Sequence, residues 1–172
     1  MYNKSTYASP IGTLTLASDG ENLIGLWIEG QKYHGDTIYT GMVTDNEHEI
    51  FKKTKKWLDR YFAGEKPSPT ELPLAPIGSE FRKEVWDHLR KIPYGKLTTY
   101  STIAKKIAIN AEKPQASSRA VGGAVGHNPI SIIIPCHRVV GVKSSLTGYA
   151  AGVATKIKLL ELEGVDISKL KS

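Results

Sequence analysis

Apolar residues recur at every second position in two neighbouring segments near the start of the chain. The segments contain Leu14, Leu16, Ile24, Leu26 and Ile28. An Asp19-Gly20 pair, which favours a tight turn, stands between them. Alternation of this kind is typical of half-buried strands, so the pattern predicts a β-hairpin in the first part of the chain.

The next apolar residues follow a helical period instead. They are Ile50, Thr54, Trp57, Leu58 and Tyr61. Asn46, with Glu49 three residues later, has the signature of a capping box, and Gly64 is expected to end the helix. Together with the hairpin, this helix predicts a small N-terminal α/β domain.

Three short helical segments are predicted in the second half. Ser79 is expected to cap the first, which Pro93 stops, and Thr99 is expected to cap the second. Their apolar faces contain Phe81, Val85, Trp86 and Leu89, and then Ile103, Ala104, Ile107 and Ala108. The third segment, Ala116 to Val125, consists almost wholly of small residues around Arg119. The second and third segments together are similar to a helix-turn-helix.

Four of the nine prolines fall between the two halves, at positions 67, 69, 73 and 76. Prolines favour an extended connection because they lack a backbone donor. We therefore expect an N-terminal domain over residues 1–76, which includes this connection, and a second domain over residues 77–172. The predicted fold class is α+β, with a mostly helical C-terminal domain that contains the helix-turn-helix.

Positive charge is concentrated in the second half. Residues 1–78 contain 8 Lys or Arg and 10 Asp or Glu, whereas residues 79–172 contain 15 and 7. This asymmetry fits a nucleic-acid-binding half, and it fits a solvated basic surface equally well.

The small-residue segment also has two explanations. Gly122-Gly123 weaken a helix by about 1 kcal/mol each relative to alanine, so another backbone is expected to approach them closely. That backbone belongs either to a neighbouring helix or to a nucleic-acid strand.

Cysteine and histidine usage predicts neither a metal nor a cofactor. One cysteine cannot form an internal disulfide or a multi-cysteine zinc site, and no two of the five histidines are four residues apart. No apolar run reaches the ~18 to 20 residues of a membrane span, and the start of the chain does not resemble a signal peptide. The expected location is cytoplasmic.

The single cysteine, Cys136, follows a β-branched run, Ile132 to Ile134, which predicts a short buried strand. A lone cysteine is more often a small buried hydrophobe than a nucleophile. The adjacent His137 and Arg138, however, favour the reactive thiolate. Neighbouring side chains of an extended segment point to opposite faces, so contact between Cys136 and His137 requires a bridging water or a local bend.

The run from Ile134 to Val139, Ile-Pro-Cys-His-Arg-Val, resembles the active-site signature of the O6-alkylguanine-DNA alkyltransferases. These proteins are also called methylated-DNA–protein-cysteine methyltransferases. Further motifs fall in the family's order and spacing: Val85-Trp86, Ile92 to Gly95, Thr99-Tyr100, Arg119 to Gly122, Asn128-Pro129, Thr147 to Tyr149, and Leu160 to Gly164. The resemblance covers about residues 79–164 and is weaker in the N-terminal domain.

The resemblance implies a set of catalytic roles. Cys136 would accept the alkyl group irreversibly, activated through a water by His137, which Glu163 would orient. Tyr100 would donate its hydroxyl to a ring nitrogen of the flipped guanine, and Asn128 would tie the helix-turn-helix to the cysteine segment. The residues alone place Glu163 at the end of a helix that starts near Val153. A carboxylate there is unfavourable unless a cation offsets the helix dipole.

The resemblance also implies binding residues and partners. Arg119 would fill the gap that the flipped base leaves, and Ser118, Ala120 and Gly122 would contact duplex DNA in the minor groove. The substrate pocket would be lined by Val125, Val139, Tyr149, Ala150 and Ala151. No cofactor is implied, and a monomer is expected in solution.

Two residues depart from the family pattern. Arg82 replaces a usual glutamine, and Ala151 replaces a frequent glycine beside the pocket. Three other functions share part of this sequence pattern. A non-catalytic lesion-binding relative of the family lacks the acceptor cysteine, which this chain has. A thiol-gated helix-turn-helix regulator would need base-reading side chains that the third segment lacks. A Cys-His hydrolase suits the adjacency of Cys136 and His137 poorly.

Overall fold

A computed structural model of the chain describes residues 2–36, 38, 41–110, 117–141, 143, 145–146 and 149–170, with the backbone alone for 109 and 110. The chain divides into two units. The N-terminal unit extends to Gly78 and includes Pro129–Ile133, whereas the C-terminal unit contains Ser79–Asn128 and the residues from Ile134 onward. The segment Pro129–Ile133 is not anticipated by a simple division after residue 76.

The N-terminal unit is built on a four-stranded sheet. Its strands are β1 (Tyr2–Ser9), β2 (Gly12–Ser18), β3 (Leu23–Ile28) and β4 (Met42–Thr44), in the order β3-β2-β1-β4. The predicted hairpin is confirmed as the antiparallel pair β2–β3. β1 pairs with β2 in the antiparallel sense and with β4 in the parallel sense, so the sheet is mixed.

One helix, α1 (Glu49–Phe62), packs against this sheet. Its predicted capping box is wrong: His48 is the N-cap and makes no side-chain cap. The side chain of Asn46 instead accepts a hydrogen bond from Ser5 Oγ at 2.5 Å, because β1, which supplies Ser5, offers a competing donor. The predicted end of the helix is confirmed, since Gly64 adopts a φ of 87° directly after the cap residue.

The C-terminal unit is mostly helical. It contains α2 (Glu80–Arg90), α3 (Tyr100–Asn110), α4 (Ser118–Gly126) and α5 (Val153–Leu162), with a parallel pair of two-residue strands, β5 (Thr98–Thr99) and β6 (Val139–Val140). Short 3-10 turns cover Pro69–Glu71 in the first unit and Cys136–Arg138 and Ile167–Lys169 in the second. None of the helices in the described part of the chain is long and apolar enough to cross a membrane.

The predicted helix starts of this unit are confirmed by their caps. Ser79 Oγ accepts from the backbone N–H of Arg82 at 3.2 Å, and Thr99 Oγ1 accepts from that of Thr102 at 3.1 Å. The third helix begins at Ser118, and Ala116, where we predicted its start, lies outside the described residues. α3 and α4 pack against each other, and Trp86 Nε1 ties α2 to α4 by donating to the carbonyl of Ala124 at 2.8 Å.

The predicted strand over Ile132 to Ile134 is wrong, although all three side chains are buried. Ile132 adopts a φ of 72°, a left-handed conformation that ends an extended run. Backbone hydrogen bonds join this segment to β3 instead. Leu26 N–H donates to the carbonyl of Pro129 at 2.8 Å, and Ser131 N–H donates to the carbonyl of Leu26 at 2.9 Å.

Candidate active site

The acceptor candidate, Cys136, begins the 3-10 turn Cys136–Arg138 and is only 4% exposed. The turn bends the chain between Cys136 and His137, but no described atom bonds to His137 Nδ1, so the bend by itself does not join the thiol to the imidazole. Burial raises the pKa of the thiol, although hydrogen bonding by Asn128 and Tyr149 and the charge of Lys156 oppose the rise. A thiol with a raised pKa is largely protonated at neutral pH, so it needs a base before it can act as a nucleophile.

Asn128 connects α4 to the segment that precedes the cysteine. It follows the cap of α4, and its Nδ2 donates to the carbonyl of Ile134 at 2.7 Å. Cys136 lies two residues after Ile134. The side chain of Asn128 therefore influences both the path of the backbone before the cysteine and the hydrogen bonding of the thiol.

The carboxylate of Glu163, at the end of α5, accepts hydrogen bonds from His137, Arg138 and Gly95. His137 Nε2 lies 2.5 Å from one carboxylate oxygen. Arg138 contributes Nε at 2.7 Å and Nη2 at 3.1 Å, and the backbone N–H of Gly95 donates at 3.0 Å. The side chains of His137 and Glu163 are fully buried. Arg138 is therefore the cation that the helix-end position of Glu163 requires.

These contacts fix the charge states. Burial alone would raise the pKa of Glu163, but the hydrogen bonds and charges of His137 and Arg138 hold it far below its usual range. Burial lowers the pKa of His137 despite the neighbouring carboxylate. At neutral pH the site thus contains an ionised Glu163 and a neutral imidazole.

The neutral imidazole has one possible tautomer in this setting. An ionised carboxylate can only accept, so His137 Nε2 carries the proton and donates it to Glu163. Nδ1 then holds a free lone pair and is the basic atom of the ring. No described residue bonds to Nδ1, which is buried.

The segment Ile92 to Gly95 wraps around Arg138. The carbonyl of Ile92 accepts from Arg138 Nη1 at 2.7 Å, and the guanidinium carbon lies 5.7 Å from the ring centre of Tyr94. Gly95 adopts a φ of 75°, and a Cβ there would lie 3.0 Å from the carbonyl oxygen of Glu163. The conformation and the close approach both require glycine. This motif therefore has a physical role, which is to hold the Arg138–Glu163 pair.

A lysine that the sequence analysis missed lies beside the thiol. Lys156 is fully buried in α5, and its Nζ donates to the carbonyl of Val139 at 2.5 Å. Burial lowers its pKa to about 8, opposed by the thiolate form of Cys136. Its position offers a signal, because it lies three and four residues before the buried Leu159 and Leu160 and so falls on the apolar stripe of the helix.

Two tyrosines flank Cys136. Pairing of β5 with β6 places the start of α3, and hence Tyr100, beside the strand that follows the cysteine. Burial and the charge of the Cys136 thiolate raise the pKa of Tyr100 to about 12. The same two causes raise the pKa of Tyr149 well above its usual value. Both hydroxyls remain protonated at neutral pH and are able to donate a hydrogen bond.

The candidate DNA-binding residues lie on α4. Ser118, Arg119 and Ala120 are exposed, and Gly122 is half-buried. A Cβ on Gly122 would lie 3.9 Å from a ring carbon of Tyr100, an ordinary contact, and a Cβ on Gly123 would meet no described atom within 4 Å. Although α3 packs against α4, no backbone in the described part of the chain approaches these two glycines closely, which was one of the two explanations for them.

The candidate pocket residues are close in the chain to the reacting groups. Val125, Val139 and Tyr149 are buried, and Ala150 and Ala151 are half-buried. The charge of the Cys136 thiolate acts on Tyr149, and the Val139 carbonyl accepts a hydrogen bond from Lys156. Thr147 and Gly148, part of the same motif, lie outside the described residues. Among the residues that the structure describes, no cluster of three or more His, Cys, Asp and Glu side chains is arranged to hold a metal ion.

Both halves of the chain match known protein families. Residues 2–76 match the family described as 6-O-methylguanine DNA methyltransferase, ribonuclease-like domain, and residues 80–165 match the DNA binding domain of the same name. The chain is 46% identical over 158 residues to a methylated-DNA–protein-cysteine methyltransferase of Methanosarcina acetivorans, covering 92% of this chain and 96% of the relative. It is 42% identical over 159 residues to one of Haemophilus influenzae, covering 92% and 84%.

Solved structures are similar over nearly the whole chain. The fold resembles that of the Mycobacterium tuberculosis O6-methylguanine methyltransferase, with a TM-score of 0.81, 42% identity, and coverage of 95% of this chain and 93% of the other. A Mycobacterium tuberculosis relative crystallised in complex with DNA has a TM-score of 0.79 and 40% identity, with coverage of 99% and 95%.

Proposed function

The chain belongs to the 6-O-methylguanine DNA methyltransferase family, and we propose that it repairs O6-alkylguanine in duplex DNA by moving the alkyl group irreversibly onto Cys136. The observation that carries the choice of acceptor is the cysteine count. The relatives are named for transfer to a protein cysteine, and this chain has one cysteine. Cys136 is therefore the one residue that can be this acceptor.

The reaction is a displacement at the alkyl carbon. The Cys136 sulfur attacks, the new bond is a thioether, and the bond between the alkyl carbon and guanine O6 breaks, leaving its electron pair on the base. The thiol proton passes through a water to His137 Nδ1, and guanine regains a proton at a ring nitrogen. A thioether is not readily cleaved by water or thiols, so each protein molecule repairs one lesion. No cofactor takes part, because the lesion itself carries the group.

His137 is supported as the base by its tautomer. Nε2 is committed to Glu163, which leaves the Nδ1 lone pair for the proton. Arg138 keeps Glu163 ionised, and the ionised carboxylate stabilises the imidazolium that forms during transfer. In this role Glu163 and Arg138 are positioning residues.

Tyr100 acts on the leaving group. Its raised pKa keeps its hydroxyl protonated, and a hydrogen bond from that hydroxyl to a ring nitrogen of guanine stabilises the departing base. An alkyl carbon within stacked duplex cannot be approached in line by a buried sulfur, so the nucleotide must be flipped out. The flipped base is held between Val125, Tyr149, Ala150, Ala151 and the backbone of Val139.

The DNA is contacted through α4. Exposed Arg119 enters the stack where the base has left, while Ser118, Ala120 and Gly122 allow the helix to approach the backbone in the minor groove. The openness around Gly123 supports a partner from outside the described residues. Asn128 links α4 to the cysteine segment. The residues from 77 onward thus carry DNA binding and transfer, in a monomer that acts in the cytoplasm, where reducing conditions keep a lone thiol free.

The experiment that tests this function uses duplex DNA with one O6-methylguanine. After mixing, mass spectrometry of the peptide that contains residue 136 should show the gain of one methyl group. Cys136→Ser should gain none and should leave the lesion in the DNA. A methyl group on any other residue, or removal of the lesion by the Cys136→Ser protein, contradicts the proposal.

A further inference from the structure

A cleft of about 500 Å³ opens in the C-terminal unit between the end of α2, the following turn and α3. Each of these three elements contributes one lysine to its lining, Lys91, Lys96 and Lys106. All three lysines are exposed. Neither Cys136 nor any other residue proposed for alkyl transfer lines this cleft, so its charge is not explained by the repair site.

No ion pair to Lys91, Lys96 or Lys106 is seen among the described residues. Burial and the charges of Lys91 and Lys106 lower the pKa of His88, although Glu84 and Asp87 oppose this. Lys91, which follows α2, and Lys106, on α3, therefore both lie near His88.

The rest of the lining is aliphatic. Ile92 and Ile103 are buried at its floor, and Leu97 and Pro93 contribute further apolar surface. No Phe, Tyr or Trp is among the described residues of the lining, so the cleft has no ring on which a base would stack, apart from the imidazole of His88. Lysines around an aliphatic floor suit a phosphate backbone, which is recognised through charge and without sequence preference.

The cleft lies on the helix that supports the proposed DNA-binding helix. α3 contributes Ile103 and Lys106 to the cleft and packs directly against α4. Packed helices are about 8–10 Å apart, whereas duplex DNA carries about one charge per 1.7 Å of its length. A duplex bound along α4 would therefore place several phosphates, beyond the flipped nucleotide, within reach of a neighbouring cationic surface.

We propose that the lysine cleft formed by Lys91, Lys96 and Lys106 binds the phosphate backbone of the DNA, outside the nucleotide that is repaired. The cleft adds affinity for DNA of any sequence and is not needed for the transfer step. This inference rests on the proposed function only in taking the same DNA molecule as the ligand.

The test measures binding to undamaged duplex DNA at several salt concentrations. Each lysine that contacts a phosphate contributes about 0.9 to the slope of log affinity against log salt. The triple variant Lys91→Gln, Lys96→Gln, Lys106→Gln should therefore lower the slope by about 2 to 3. The single variants should each lower it by about 0.9, which guards against misfolding of the triple variant.

A matched control removes the same number of charges elsewhere. Lys52, Lys53 and Lys56 are exposed on α1, and their replacement by Gln should leave the slope close to that of the unchanged protein. Equal slopes for the two triple variants overturn the proposal. A wild-type slope in the cleft variant also overturns it.

Two further measurements separate the alternatives. Methyl transfer from free O6-methylguanine to Cys136 should be unchanged in the cleft variant, because the free base offers no backbone. If the unchanged protein fails to transfer methyl from duplex DNA, the proposed function is wrong. The salt dependence of binding to undamaged DNA still tests whether the cleft binds the phosphate backbone. Stoichiometric ATP binding that disappears in the cleft variant, with an unaltered DNA slope, would assign the cleft to a free nucleotide and contradict the proposal.

Discussion

At the scale of single residues, one carboxylate organises the site. Glu163 ends a helix, where the dipole disfavours negative charge, and it is ionised because Arg138, His137 and the N–H of Gly95 surround it. The sequence predicted that a cation was needed but did not identify it. Arg138 was recognised only as part of the motif around Cys136, since its fork of hydrogen bonds to Glu163 depends on tertiary structure.

Replacing Glu163 by Gln should be costly for stability and for repair. The change leaves the buried Arg138 without its counter-charge, and loss of one partner of a buried pair costs about 3 kcal/mol or more of unfolding free energy. Repair should slow on the order of tenfold or more, because His137 loses the carboxylate that stabilises its protonated form. Denaturant unfolding and single-turnover kinetics measure the two effects. The control, Glu161→Gln, changes an exposed residue near the same helix end; if it behaves like Glu163→Gln, the pairing with Arg138 is not the cause.

Lys156→Met should lower the reactivity of Cys136 in a pH-dependent way. Burial raises the pKa of the thiol and protonated Lys156 opposes this, so loss of the lysine should raise the pKa further. Since the pKa of Lys156 is about 8, its charge is present below pH 8 and is lost above it. The rate of alkylation by iodoacetamide should therefore fall most below that pH, and the two profiles should converge above it. Lys158→Met, an exposed change in the same helix, should leave the profile unmoved; a wild-type profile for Lys156→Met refutes the argument.

At the scale of elements, local signals were the reliable ones. The hairpin, the caps at Ser79 and Thr99 and the end of α1 are set by residues a few positions apart, and the structure confirms them. The capping box at Asn46 failed because Ser5, distant in the chain, competes for its side chain. The prediction of a strand over Ile132 to Ile134 was wrong, because the composition of this run favours an extended backbone but its tertiary contacts do not. The preceding residues form backbone hydrogen bonds to Leu26, and Ile132 adopts a left-handed conformation.

The glycines of α4 allow helix stability and DNA binding to be separated. Gly123 lies four residues after Arg119 and so shares its face, and a Cβ there would meet no described atom within 4 Å. Gly123→Ala should raise helix stability by about 1 kcal/mol. Gly123→Leu should keep the protein folded but weaken DNA binding on the order of tenfold, about 1.4 kcal/mol, because the larger side chain separates the helix from the groove. Thermal unfolding and binding titrations test this. Undiminished binding by the Leu variant means that this face does not approach DNA.

Arg119 should matter for extruding the base and not for the chemistry. Arg119→Ala is therefore expected to slow repair of O6-methylguanine in duplex DNA more than methyl transfer from the free base, which needs no extrusion. Single-turnover rates on both substrates provide the comparison, with Arg82→Ala, a half-buried arginine on α2, as the matched control. Equal slowing on the two substrates excludes the role in extrusion.

At the scale of the whole molecule, the sequence predicted the fold class, the chemistry and Cys136, but not how distant segments combine. β1 was missed because Tyr2–Ser9 contains few apolar residues, and β4 was missed because its parallel pairing with β1 is non-local. Pro129–Ile133 belongs to the N-terminal unit although it lies deep in the second half of the chain. Lys156 was missed because a lysine in an amphipathic helix is usually solvated. Residues 79–172 carry the excess of basic charge, and three of these basic residues line the lysine cleft.

The most direct measurement of the central claim counts methyl groups. Protein is titrated with an excess of duplex DNA that contains O6-methylguanine, and the repaired guanine is counted against the protein present. Transfer should stop at one methyl per protein molecule, with every methyl on Cys136 and none transferred by Cys136→Ser. A second methyl repaired per protein, or repair that continues after Cys136 is fully alkylated, would show a turning-over enzyme and contradict the account.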